Sequence, residues 1–155
     1  MKAATLAAGI GKGVLAGLAG TAAMTISSTV EAKLRGRAFS TAPAKAAAKV
    51  LGIAEFEDAR AQARFSDLVH WGYGTSWGVA LGVMRALGFS PRVAAPAHFA
   101  AVWGGAAVML PALEVAPPVP FWEPEDIAID VFHHLVYVGA TSFAYSRLTR
   151  GDNPA

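Results

Sequence analysis

Cysteine is missing from the 155-residue chain, which excludes disulfides, thiolate zinc sites and a cysteine nucleophile. Charge is scarce as well. Asp, Glu, Lys and Arg make up 15% of the residues, against roughly 25% in an average soluble domain. A formal net charge of +2 is too small to hold nucleic acid by electrostatics. No basic–aromatic pattern accompanies it, so no nucleic-acid partner is expected. Catalytic signatures are absent too: there is no Walker A, GxSxG, dinucleotide GxGxxG, HExxH or paired-carboxylate motif. The stretch GIGKGVLAG at 9–17 lacks the GK[ST] ending of a phosphate loop, and RGD at 150–152 is three common residues in a tail. The chain is therefore expected to be no enzyme and to carry no cofactor.

What is present is apolar. Hydrophobic residues make up 54% of the chain, and mean hydropathy is +0.41. The length suits a single domain over 1–155. Charges are segregated along it: 13–30, 68–84, 93–113 and 131–146 carry none, whereas 31–67 holds twelve of the 24. A hydrocarbon core about 30 Å thick takes roughly 20 helical residues. The spacing thus predicts an all-α polytopic membrane protein with four spans, approximately 10–30, 68–88, 94–115 and 127–147, and a partly helical polar loop at 31–67. A soluble bundle would need a polar face on each helix, and VAAPAHFAAVWGGAAVMLPAL at 93–113 has none. Lys2 ahead of apolar residues also fits a cleaved signal peptide, but Lys12 interrupts the run, so the segment is read as a retained anchor.

Small residues at every fourth position let helix backbones approach closely in lipid. Gly9, Gly13 and Gly17 have that spacing in the first span, Gly74, Gly78 and Gly82 in the second, and Ala97, Ala101 and Gly105 in the third. The second series is expected to face another helix, within the monomer or across a homo-oligomer. The first span, rich in Gly, Ala, Ser and Thr, reads as the weakest.

Pro96 and Pro111 lie near the ends of the third span, and APPVPFWEPED reads as a stiff extended connection with Phe121 and Trp122 at the interface. Pro124, Glu125 and Asp126 suit the first turn of the last helix. STAPAKAAAKVLG predicts a short helix stopped by Gly52, and AEFEDARAQARFSD a polar helix or linker. Basic residues divide almost evenly between the two sides. The acidic, lysine-free third connection looks exported, which puts both termini in the cytoplasm.

Four spans bring the start of the second, the end of the third and the start of the fourth to one face. Asp67, His70, Glu114, Asp130, His133 and His134 gather there. At 100° per residue, Asp130, His134, Tyr137 and Thr141 form a narrow stripe with His133 at its edge. His98 belongs to the opposite face and is not expected to join. Ionisable groups at membrane depth usually face the bundle interior and pair with one another, and Asp130 and His134, one turn apart, suit a charge-assisted hydrogen bond. Three readings of His70, Asp130, His133, His134 and Tyr137 stay open. They can tie helices together, relay a proton or sense pH, or supply His70, His134 and Asp130 as ligands to a metal or haem. No recognised metal spacing favours the last, so no metal is expected.

The segment LPALEVAPPVPFWEPEDIAIDVFHHLVY at 110–137 resembles the C-terminal half of the YagU-like bacterial inner-membrane family, a domain of unknown function. The likeness is carried by Pro111, Pro117, Pro118, Trp122, Asp130, Phe132, His134 and the run Leu135 to Tyr137, with His70 also similar to a family position; it covers about 65–148. The stretch RGRAFSTAP is similar instead to actinobacterial membrane proteins, which implies a subfamily. The resemblance implies a small multi-pass inner-membrane protein and no reaction. Its partners would be the lipid bilayer and a membrane protein or second copy of itself. The expected role is an accessory or envelope-maintenance component, with a proton- or cation-conducting oligomer, or an intramembrane metal or haem protein, as the alternatives.

Overall fold

The computed structural model describes residues 3–38 and 40–150; Lys2, and Gly151 and Asp152 of the RGD stretch, lie outside them. Five α-helices follow one another: α1 (Ala3–Arg35), α2 (Ala42–Leu51), α3 (Ala59–Ala86), α4 (Pro91–Ala112) and α5 (Pro124–Thr149). There is no strand among the described residues. The expected spans at 10–30 and 127–147 lie within longer helices, and those at 68–88 and 94–115 largely overlap α3 and α4. Of the polar segment before the second span, 54–58 form a linker and 59–67 the first turns of α3. Asp58 caps it, its carboxylate accepting from the Ala61 N–H at 2.7 Å.

Three helices are long and apolar enough to cross a membrane: α1, α4 and α5. Four were expected, and the correction falls on α3. Its sequence HWGYGTSWG at 70–78 dilutes an apolar stretch with imidazole, hydroxyl and glycine. The connection expected to be extended contains a single 3-10 turn, Val119–Phe121, followed by Trp122, whose indole N–H donates to the Pro117 carbonyl at 2.6 Å. α2 ends where Gly52 takes the left-handed conformation (φ 69°), which glycine reaches without steric cost.

α1 is antiparallel to both of its neighbours. Gly9, Gly13 and Gly17 meet Gly82, Gly78 and Thr75 of α3, while Gly20 meets Tyr137 and Thr141 of α5. α4 closes the ring against α3 and α5, with Val102 packing beside Tyr137 and Val138. The long helices therefore alternate in direction around a four-membered ring. The segment read as the weakest span holds the centre of the contacts, because its glycines give the closest approach. A Cβ built on Gly13 would stand 2.5 Å from the Gly78 carbonyl oxygen, and one on Gly17 2.7 Å from that of Thr75. A Cβ on Gly78 would collide with backbone atoms of Gly13 and Gly17. Backbone cannot swing aside as a flexible side chain does, so these helices approach at a distance only glycine permits.

Gly78→Ala should therefore lower thermal stability in detergent by about 1–3 kcal/mol, the usual cost of overpacking. Gly72→Ala, on the same helix with open space where its Cβ would go, should be neutral or stabilising by up to about 1 kcal/mol through helix propensity. Equal effects at the two positions would remove the packing explanation.

Candidate functional site: a divided acid–imidazole network

α1 contributes a ladder of hydroxyls. Thr21 donates to the Gly17 carbonyl at 2.8 Å and Thr25 to that of Thr21 at 2.7 Å, the back-bonding available to Ser and Thr in a helix. Thr25 Oγ1 also lies 2.8 Å from His70 Nε2. A hydroxyl has one proton, and the carbonyl can only accept, so both contacts are satisfied when His70 Nε2–H donates to Thr25. His70 thereby fastens α3 to α1.

His133 fastens α5 to the same helix. Its ring is buried, with Nδ1 2.9 Å from Ser27 Oγ. Its Nε2 has no hydrogen-bond partner among the described residues and lies 3.6 Å from Glu31 Oε2. Glu31 in turn pairs with Arg35 at 3.2 Å and with Arg37, and Arg35 reaches across to Glu125 of α5. Arg37, beyond the end of α1, is held above its ordinary pKa chiefly by the hydrogen bond from its guanidinium to the Glu31 carboxylate. Ser27 donates its one proton to the Met24 carbonyl at 3.0 Å, so both of its contacts are satisfied when His133 Nδ1–H donates to Ser27 Oγ. The Glu31 carboxylate then faces an N–H only when the ring carries a second proton.

The remaining expected members lie elsewhere. The Asp130 carboxylate accepts from the Trp103 indole N–H at 2.9 Å and so joins α5 to α4. His134 Nδ1 donates at 2.8 Å to the Asp130 backbone carbonyl, with the carboxylate at 3.6 Å. The anticipated side-chain bond between them is thus displaced by Trp103 on one side and by the helix backbone on the other. The Tyr137 hydroxyl donates to the Gly74 carbonyl at 2.6 Å, joining α5 to α3. Glu114, at a left-handed backbone position (φ 53°), pairs with Lys49 of α2 at 3.3 Å, and Asp67 is exposed. Among the described residues no three His, Asp or Glu side chains gather to hold a metal ion. His70, His134 and Asp130 each have a different partner.

Two assignments on α5 and α4 change. The buried stripe is His133, Tyr137, Thr141 and Tyr145, four residues apart throughout, so His133 is central and His134 lies to its side. His98, expected to stand apart, is 0% exposed. It donates from Nε2 to the Trp77 carbonyl at 2.9 Å, and its ring centroid lies 5.8 Å from that of Tyr137. Its Nδ1 and the Trp77 indole N–H have no partner among the described residues. Glu31, Ser27, Thr25 and Trp103 were not singled out from the sequence. The available signal was the i, i+4 spacing of Thr21 with Thr25 and of Ser27 with Glu31.

No family model matches the chain, and neither curated proteins nor solved structures yield a match. The resemblance to the YagU-like family rests on the quoted residues alone.

His133→Ala should cost about 1–3 kcal/mol in thermal or denaturant unfolding, since it strips Ser27 and Glu31 of a buried partner. His134→Ala should cost less. The reverse order would return the functional face to Asp130 and His134.

Proposed function

We propose that this protein is an integral membrane helix bundle of the bacterial inner membrane, a non-enzymatic accessory component whose buried acid–imidazole network locks its helices at one face. One observation carries the reading: the apolar surface points outward. Only 28%, 17% and 22% of the most apolar stretches of α1, α4 and α5 are buried within the protein. Ile26, Val108 and Phe143 are 66%, 72% and 63% exposed. Contiguous apolar surface on this scale is unfavourable in water and suits hydrocarbon.

α3 crosses with α1. Contacts running from Gly9 against Gly82 to Thr25 against His70 hold the two at the same depth, and α3 turns its glycines and His70 toward α1. A helix too polar to span alone is thus shielded by a more apolar partner.

Charge supports an orientation. The end formed by the start of α1, the turn between α3 and α4 and the end of α5 carries Lys12, Arg85, Arg92, Arg147 and Arg150 and no acid among the described residues. The opposite end carries every described acidic residue. Among the described residues Lys and Arg divide five to seven between this end and the other. The reading therefore follows the acidic, lysine-free connection between α4 and α5, which suits the exported side, and assigns the end without described acids, with both termini, to the cytoplasm. Conduction is disfavoured at mid-depth, where Thr21 and Thr141 are buried and a Cβ on Gly20 would strike Thr141.

The cysteine-free background makes the test direct. Ser90→Cys should react with a membrane-impermeant thiol reagent only from the cytoplasmic side of sealed vesicles, and Ala116→Cys only from the other. Reaction of both from one side would reject the topology. Liposomes holding the protein should leak protons no faster than empty ones; a leak abolished by Glu31→Gln would instead establish a conducting role.

A further inference from the structure

The basic end contains a cavity that the network above does not use. It has a volume of about 190 Å³ and opens between the end of α3, the start of α4 and the end of α5. Leu81 and Ala94 form its apolar wall, and Arg85, Ser142, Tyr145 and Thr149 supply its polar groups. Ser142 Oγ is buried there without a hydrogen-bond partner among the described residues. Tyr145 is 6% exposed, its ring packed in the core cluster with Ala16, Leu81 and Ala94.

Arg85 gives one N–H to the Phe89 carbonyl and forms no ion pair with a described acidic residue. A guanidinium has five such donors in a planar fork that matches phosphate geometry. A buried hydroxyl without a partner is costly, and an anionic oxygen in the cavity would relieve it. No described acidic residue at this end of the bundle opposes such a ligand, and Arg92 and Arg147 add to the positive field. The cavity is smaller than the roughly 300–1,000 Å³ of sites that enclose a whole small molecule, so it suits a compact head. Val93, Phe143 and Leu148 are exposed on the adjoining flanks of α4 and α5, where acyl chains would run.

We propose that this cavity binds a phosphate group, with Arg85 as the charged anchor and Ser142 as a neutral donor, the phosphate being carried by an anionic phospholipid or free in solution. Basic pockets between helices on the cytoplasmic side are a recurring form of headgroup recognition. The lipid source rests on the membrane reading above; the free anion does not.

The test uses the full-length protein in nanodiscs of phosphatidylcholine with or without phosphatidylglycerol, and in neutral detergent with inorganic phosphate, reading the thermal midpoint. Phosphatidylglycerol should raise the midpoint of the wild type. Arg85→Gln should weaken the apparent affinity about ten- to hundredfold, the usual worth of a hydrogen bond to a charged group. Arg147→Gln, outside the cavity, should retain it. A response to inorganic phosphate with the same dependence on Arg85, and none to the lipid, would identify the free anion as the ligand. Should Arg85→Gln fail to fold, Ser142→Ala carries the test, with weaker binding at an unchanged ligand-free midpoint. No response to either ligand would overturn the proposal. So would equal losses in Arg85→Gln and Arg147→Gln, or unchanged binding in Ser142→Ala when Arg85→Gln does not fold.

Discussion

The contact between the backbones of α1 and α3 is the constraint on which the other arrangements depend. Gly9, Gly13 and Gly17 face Gly82, Gly78 and Thr75 so closely that a single methyl group would strike a carbonyl oxygen. In water, burial of large apolar side chains drives helix association. In hydrocarbon that force is absent between helices, and close van der Waals contact with interhelical hydrogen bonds takes its place. The small number of large buried apolar side chains, chiefly Leu81, Val102, Tyr137, Val138 and Tyr145, fits the second regime.

Once α1 and α3 are joined, the depth of each polar side chain follows. Thr25 comes level with His70 and Thr21 with Gly74. On its other side, α1 brings Ser27 and Glu31 to His133. The polar groups thus form a series of two-helix ties rather than one pocket: α1 to α3 through His70, α1 to α5 through His133, α4 to α5 through Asp130 and Trp103, and α3 to α5 through Tyr137. Distributed ties of this kind restrain the rotation of every helix about its axis. Among the described residues no three acid or imidazole groups gather at one point to hold a metal ion.

The two ends of the bundle are chemically unlike. One joins acids and bases in a surface network around Glu31, Arg35, Arg37 and Glu125. The other carries only basic charges among the described residues and holds the cavity beside Arg85. Ion pairs at an exposed end contribute little to stability individually, so the asymmetry bears on how the molecule sits in a membrane more than on how tightly it folds.

Charge-free runs long enough to cross a bilayer, punctuated by Gly52 and Pro124, made an all-helical architecture and most helix positions legible from the residues alone, because hydropathy and backbone restrictions act locally. The number of apolar spans was overestimated where α3 mixes glycine, hydroxyl and imidazole, a composition that makes sense only beside α1. Azimuth was the other illegible quantity. Periodicity set His133 at the edge of its stripe, since an angular error of one residue in a helix amounts to about 100°. His98 was instead set apart by its place at the start of the third span, a matter of depth that left its contacts with Trp77 and Tyr137 unseen. The residues by themselves determined which segments are helical and which are apolar; only the tertiary structure decided which imidazole is buried and against which carboxylate, because partner choice depends on helix rotation and depth, and those are set by the glycine contacts between chain segments far apart in sequence.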